Sequence, residues 1–208
     1  MNRRAMSTTL RALALPLALS LALVATGCSR GPAQPPLDQA PLAGAAIGGD
    51  FTLTGEDGQP VSWDDFAGKW RVVYFGFAYC PDICPTDLQR TSQGLALYAR
   101  DNAGLAANIQ PIFVTIDPER DTPEVVAEFT DAFSKDLLGL TGTPEQIAAT
   151  AKAFGVYYAK GEVNEQGAYM MDHSNVTYLF DPDGNPVSML PTDQGAEAVA
   201  AELAKWVR

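Results

Sequence analysis

The join at residues 71–90 constrains the fold most, because an apolar run, "RVVYFGFA", passes through "YCPDICP" straight into helical spacing. The run is rich in β-branched and aromatic residues and lacks polar alternation, so it reads as a strand buried on both faces. Apolar positions including Leu88, Leu95 and Leu97 then recur at helical spacing from Pro85 to Arg100. "IQPIFVTID", residues 109–117, predicts a second buried strand, followed by helices around 123–134 and 144–154 with the short apolar piece "LLGLTG" between them. "FTLTGEDGQPVSW" reads as a hairpin around Asp57-Gly58, and "NVTYLFDPDGNPVSML" as another turned by Asp183-Gly184. A final helix is expected over about 195–207.

Strands alternating with helices and closed by an antiparallel hairpin predict an α/β domain with a central mixed β-sheet flanked by helices and an N-terminal β-hairpin. A cysteine pair at the end of the first βα unit points further, to a thioredoxin-like fold. Cys80 and Cys84 both precede proline, which biases a residue away from the α region. Proline is favoured at the first helical position, so Pro85 reads as the helix start and Cys84 as its N-cap. "TPEV" at 122–125 and "TPEQ" at 143–146 repeat this grammar with Thr122 and Thr143, the second completing a capping box with Gln146. In that slot the Cys84 thiolate faces the positive end of a helix, where a lowered pKa is expected.

Three residues between the cysteines, against two in a C-x-x-C motif, leave room for a metal, although geometry and not spacing decides whether a disulfide forms. His173, the sole histidine, stands just before an apolar strand in "YMMDHSNVTYLF". In a thioredoxin-like fold the loop entering that strand packs beside the cysteine turn. Two thiolates and an imidazole form a soft set that suits copper, Cu(I) through the thiolates and Cu(II) through the imidazole; zinc accepts the same donors with a fourth ligand. Asp172 is a candidate for orienting the His173 ring. Met170 and Met171 are soft donors in principle, but a methionine beside a strand more often belongs to the core.

The chain has 208 residues, enough for one ordinary core. Residues 1–27 carry Arg3, Arg4 and Arg11, no acid, and the apolar run "ALALPLALSLALVA", which reads as a signal peptide too short, and too interrupted by Pro16, to span a membrane. "VATGCSR" resembles a bacterial lipoprotein processing site, which would make Cys28 the lipid-bearing N-terminus of the mature chain. Residues 28–47, rich in Pro, Ala and Gly, read as a lipid-anchored flexible tether with a reach of about 60 Å at full extension. Residues 48–208 form the expected domain. Without the leader, 11 basic residues face 25 acids, a net charge of −14 that disfavours nucleic acid.

With these residues in view, the chain resembles the Sco/SenC family of copper-binding, thioredoxin-like proteins. The resemblance rests on "GFAYCPDICPTDL" at 76–88, "TIDPERDTPE" at 115–124, "LTGTPEQI" at 140–147 and "DHSNVTYLFDPDG" at 172–184, in matching order. It implies copper ligation by Cys80, Cys84 and His173, and a role in assembling the dinuclear copper centre of cytochrome c oxidase. The implied partner is the oxidase's copper-bearing subunit, with a copper donor chaperone and a thiol reductant as further expected partners. The leader and Cys28, and not the resemblance, lead us to expect a periplasm-facing, membrane-anchored lipoprotein of the bacterial cell envelope; many relatives have a transmembrane anchor instead, so this start departs from the family. In "DPERDTPE", Arg120 is expected to pair with a nearby acid at the helix entry, and Asp117 is a candidate neighbour of the copper loop.

Two other functions use the same residues. A thiol-disulfide oxidoreductase would attack with Cys80 and resolve with Cys84, forming a redox disulfide between them and reducing the cysteines of the oxidase copper site. A copper or redox sensor would change a partner contact with its metal state. A peroxidase or a histidine-based hydrolase lacks the side-chain arrangement its chemistry needs.

Overall fold

A computed structural model of the chain describes residues 34–208. The leader and Cys28 lie outside the described residues. The elements in order are β1 (Thr52–Gly55), β2 (Pro60–Ser62), β3 (Trp70–Gly76), α1 (Ile83–Asp101), α2 (Ala103–Ala106), β4 (Ile109–Thr115), α3 (Pro123–Asp131), β5 (Leu138–Thr141), α4 (Pro144–Ala153), β6 (Tyr158–Lys160), β7 (Met171–His173), β8 (Thr177–Phe180), β9 (Pro186–Leu190) and α5 (Ala196–Trp206).

Seven strands form one sheet in the order β2-β1-β5-β4-β3-β8-β9. β3, β4 and β5 run parallel, while β8 lies antiparallel to β3. Every residue of β3 is buried, as its unbroken apolar run requires when both faces are covered. One core cluster packs Phe154 and Phe180 against Trp63, with Phe75 on Phe154, and also includes Phe113. The other packs Trp70, Val72 and Leu179 against Tyr98 of α1 and Val199, Leu203 and Trp206 of α5. The expected thioredoxin-like α/β fold and its N-terminal hairpin, β1 to β2, are therefore present.

Three local readings change. "LLGLTG" is more than a spacer: its Leu138–Thr141 segment is β5, held between β4 and β1. β6 and β7 form a separate two-stranded sheet that short, aperiodic sequence does not announce. The third concerns residues 34–47, where Gln34 Nε2 donates to the carbonyls of Ala204 and Val207, and Arg208 donates to that of Pro35. The Leu42 amide donates to the Val187 carbonyl, and Ala40 is buried in the second cluster. This part of the expected tether is a strap on the domain, because its few apolar residues meet a sheet face. Among the described residues no helix is long and apolar enough to cross a membrane.

Candidate metal centre

Buried β3 ends at Gly76, and the chain turns through residues 77–82 into α1. The Cys80 amide closes the turn onto the Phe77 carbonyl at 3.2 Å. Cys80 lies outside the helix, but Cys84 is the second residue of α1, whose N-cap is Asp82. The expectation that Cys84 caps the helix is thus corrected. Bias against the α region before proline is only a preference, and burial overrides it here, since Cys84 is fully enclosed. A Cβ on Gly76 would lie 3.0 Å from the Cys84 sulfur, so a larger residue there would crowd the thiol. Pro85 remains tolerable because amides in the first turn have no intrahelical partner to lose.

The cap acceptor is the other cysteine. Asp82 makes no side-chain cap bond, and the Cys84 amide instead donates to the Cys80 sulfur at 3.4 Å. The expected lowering of the Cys84 pKa is reversed as well: burial pushes the thiol well up, and its hydrogen bond with Cys80 adds to the shift. Both cysteines are free thiols.

His173 ends β7 and pairs across the small sheet with Tyr158. Its Nδ1 lies 2.9 Å from the Ser174 carbonyl oxygen, which can only accept, so Nδ1 carries the proton. Nε2 is left with its lone pair, 3.4 Å from the Cys84 sulfur. Tyr74 and Phe77 meet the ring edge-on, with centroids 6.3 and 6.0 Å away. The donor atoms of Cys80, Cys84 and His173 all lie within 4.8 Å of one another. The structure therefore brings together the three predicted ligands from the β3–α1 turn and from β7, two places 89 residues apart.

The supporting residues differ from expectation. Asp172 is exposed on the opposite side of the strand alternation, and the ring is oriented by the Ser174 carbonyl in its place. Asp117 is buried and pairs with Arg120, as the helix-entry reading expects, and accepts from the Tyr169 hydroxyl at 2.8 Å. It reaches the cysteine loop only through Arg120, whose guanidinium lies 5.1 Å from the Tyr79 ring and 3.7 Å from that of Tyr169. The direct brace is Asp121, whose Oδ2 accepts from the Ala78 amide at 2.9 Å and the Thr115 hydroxyl at 2.6 Å. Asp121 stood in the acidic cluster after β4, but nothing in that cluster distinguishes the residue that reaches back to the loop. Behind Cys84, one helical turn on, lies the buried Asp87, with neither carboxyl oxygen hydrogen-bonded.

The site is chemically a soft trap of two sulfurs and one imidazole nitrogen. Two thiols must lose protons to become thiolate donors, whereas Nε2 needs no proton removed.

Comparison with known proteins places this arrangement. The SCO1/SenC family model matches residues 39–208. SenC of Rhodobacter capsulatus is 42% identical over 158 residues, which cover 76% of this chain and 69% of SenC. The mitochondrial SCO1 homolog of Mus musculus is 39% identical over 162 residues, 78% of this chain. The match takes in only 56% of that mouse protein and 50% of Arabidopsis thaliana SCO1 homolog 1. Among solved structures, copper-bound ScoI of Bradyrhizobium japonicum is 37% identical with a TM-score of 0.70, covering 78% of this chain and all of that one. Copper-bound Arabidopsis ScoI is 39% identical with a TM-score of 0.71, covering 77% of this chain and 97% of its own. In sequence and in fold, the chain belongs to the SCO1/SenC family.

Proposed function

We propose that this chain is a copper chaperone that carries one copper ion on Cys80, Cys84 and His173 and helps assemble the dinuclear copper centre of cytochrome c oxidase. The observation that carries the reading is the three donor atoms within 4.8 Å, one of them an imidazole nitrogen with a free lone pair. Copper is the cargo. The paired sulfurs favour it over zinc, which would have to find its fourth ligand elsewhere, and the copper-bound ScoI relatives support the choice. In this reading the leader exports the chain, lipidated Cys28 tethers it to a membrane facing the bacterial periplasm, and the oxidase's copper-bearing subunit receives the ion. A donor chaperone and a thiol reductant would load the site and keep it reduced.

Transfer proceeds by ligand exchange. The acceptor's donors replace those of this chain one at a time, and each thiolate released here takes back a proton. Burial of Cys84 favours that reprotonation, so the protein environment helps to release the ion once an acceptor competes for it. Copper keeps its oxidation state throughout, because only lone pairs and protons move.

A second reading, thiol-disulfide exchange, is favoured by the adjacency of two free thiols, one of them at the cleft surface. To separate the two, the copper-loaded chain is mixed with the isolated, reduced copper domain of the oxidase. Copper found on the oxidase domain by metal analysis after the two proteins are separated, with an equal loss from this chain, supports delivery. Failure of transfer, together with reduction of an oxidised oxidase domain by the metal-free chain, supports exchange.

A further inference from the structure

His173 reaches the cysteines from a ribbon that the main sheet does not hold. β6 and β7 pair with each other in a sheet of their own, so no backbone ladder joins them to β3, at whose end the cysteine turn begins. Met171, Tyr158 and Tyr169 pack on the first core cluster, but apolar burial is non-directional and fixes no register. Among the described residues, every hydrogen bond or ion pair from residues 158–173 to a distant part of the chain goes to Asp117, Glu119 or Arg120, apart from the contact between His173 and Cys84. Those three residues lie in the link between β4 and α3.

Arg120 is the centre of that link. Its Nε donates to Asp117, and its Nη1 donates to the Tyr169 carbonyl at 3.0 Å. The guanidinium lies 3.7 Å from the centroid of the Tyr169 ring, 5.1 Å from that of Tyr79 and 5.8 Å from that of Phe77, so one cation faces rings of both the ribbon and the cysteine turn. Tyr169 closes the circuit by donating its hydroxyl to Asp117 at 2.8 Å. Lys160 lies 4.0 Å from the centroid of the same ring while pairing with Glu119. The next residue, Asp121, accepts from the Ala78 amide. The link therefore grips both halves of the site, the cysteine turn through Asp121 and the ribbon through Arg120.

We propose that Arg120 is the positioning residue that sets the reach of His173 Nε2 to bound copper, by clasping the ribbon at Tyr169, four residues before the histidine. The inference rests on the copper-carrying reading above. A donor in such a site is productive only when held within about 0.5 Å of its place. A planar guanidinium suits the task, because it bonds in fixed directions while its face stacks on a ring, and a lysine ammonium does neither.

The test uses the full chain, reduced, in four forms: unaltered, Arg120→Gln, His173→Ala and the double variant. Competition with a chromogenic Cu(I) chelator should show affinity about tenfold lower in Arg120→Gln, the low end for a group that supports a metal site. In the His173→Ala background the same change should cost less than about twofold, because Arg120 acts through the imidazole. Equal losses in both backgrounds, or no loss in either, overturn the assignment. Arg120→Lys should recover only part of the affinity; full recovery would assign the effect to charge and overturn the clasp. Should Arg120→Gln not fold, Tyr169→Leu removes the ribbon's side of the clasp and takes its place in the same cycle. Without metal, amide hydrogen exchange over residues 158–173 should be faster in Arg120→Gln, with α5 unchanged, and equal exchange overturns the clasp. No copper on the unaltered chain overturns the carrying reading, and the metal-free exchange then decides the clasp alone.

Discussion

The Cys84 thiol meets two opposing local influences: its position in the first turn of α1 would favour a thiolate, yet enclosure away from water favours the neutral thiol. Enclosure wins: burial is the largest influence and the hydrogen bond with Cys80 adds to it, while the Phe77 backbone and the Tyr74 hydroxyl only moderate it. The same enclosure acts on Asp87 one turn later, where burial raises the carboxyl pKa and nearby Thr192, Tyr74 and Asn175 only moderate it. The folded state therefore holds this proton more tightly than the unfolded chain does. The stability it contributes is present below the ordinary value of 3.8 and is lost as pH rises towards the folded value. Asp87→Asn, which removes an unpartnered buried carboxylate, should stabilise the reduced protein by on the order of 1 kcal/mol at pH 7 and by less at pH 4. Thermal unfolding at the two pH values checks it; an equal or larger gain at pH 4 would contradict the assignment.

At the scale of elements, local chemistry was legible and distant pairing was not. The Thr122 and Thr143 hydroxyls accept the amides of Val125 and Gln146 as their N-cap positions predict, and the Thr143–Gln146 capping box is complete. Both hairpins turn where Asp-Gly marks them. β5 and β7 escape the same reading because four and three residues carry no periodic signal, and their partners lie far along the chain. Cys80, Cys84 and His173 were legible through residue type and the family's motifs, but their supports, Asp121 and the Ser174 carbonyl, depend on how β4 and β7 approach the loop. Asp121→Ala should leave the Ala78 amide and the Thr115 hydroxyl without their acceptor, costing about 1–3 kcal/mol in urea unfolding. Copper affinity should fall with it by about tenfold, as expected when a supporting partner of a metal site is lost. An unchanged unfolding midpoint would show that the brace does not restrain the loop.

For the whole molecule, the strap at residues 34–47 redraws the domain boundary. It joins the C-terminal end of α5 through Gln34 and Pro35, and β9 through Leu42. A chain beginning at residue 34 should therefore be more stable than one beginning at residue 48 by about 1–3 kcal/mol, since several hydrogen bonds and a buried apolar contact are lost together. Equal melting temperatures would return the strap to the status of a tether. Proline-rich composition hid it, because the few apolar residues that hold it, such as Leu37 and Ala40, have no period of their own.

The strap and the sheet together leave the β3–α1 turn and β7 to carry the proposed three-residue copper site. Copper stoichiometry and affinity of the reduced protein, measured beside its His173→Ala variant, test it most directly. One copper per chain, weakened at least a hundredfold when the imidazole is removed, is the predicted result, because losing a donor bonded to the ion itself costs more than the 10–100-fold typical of supporting groups. Copper binding of equal affinity in both proteins, or in neither, would contradict it.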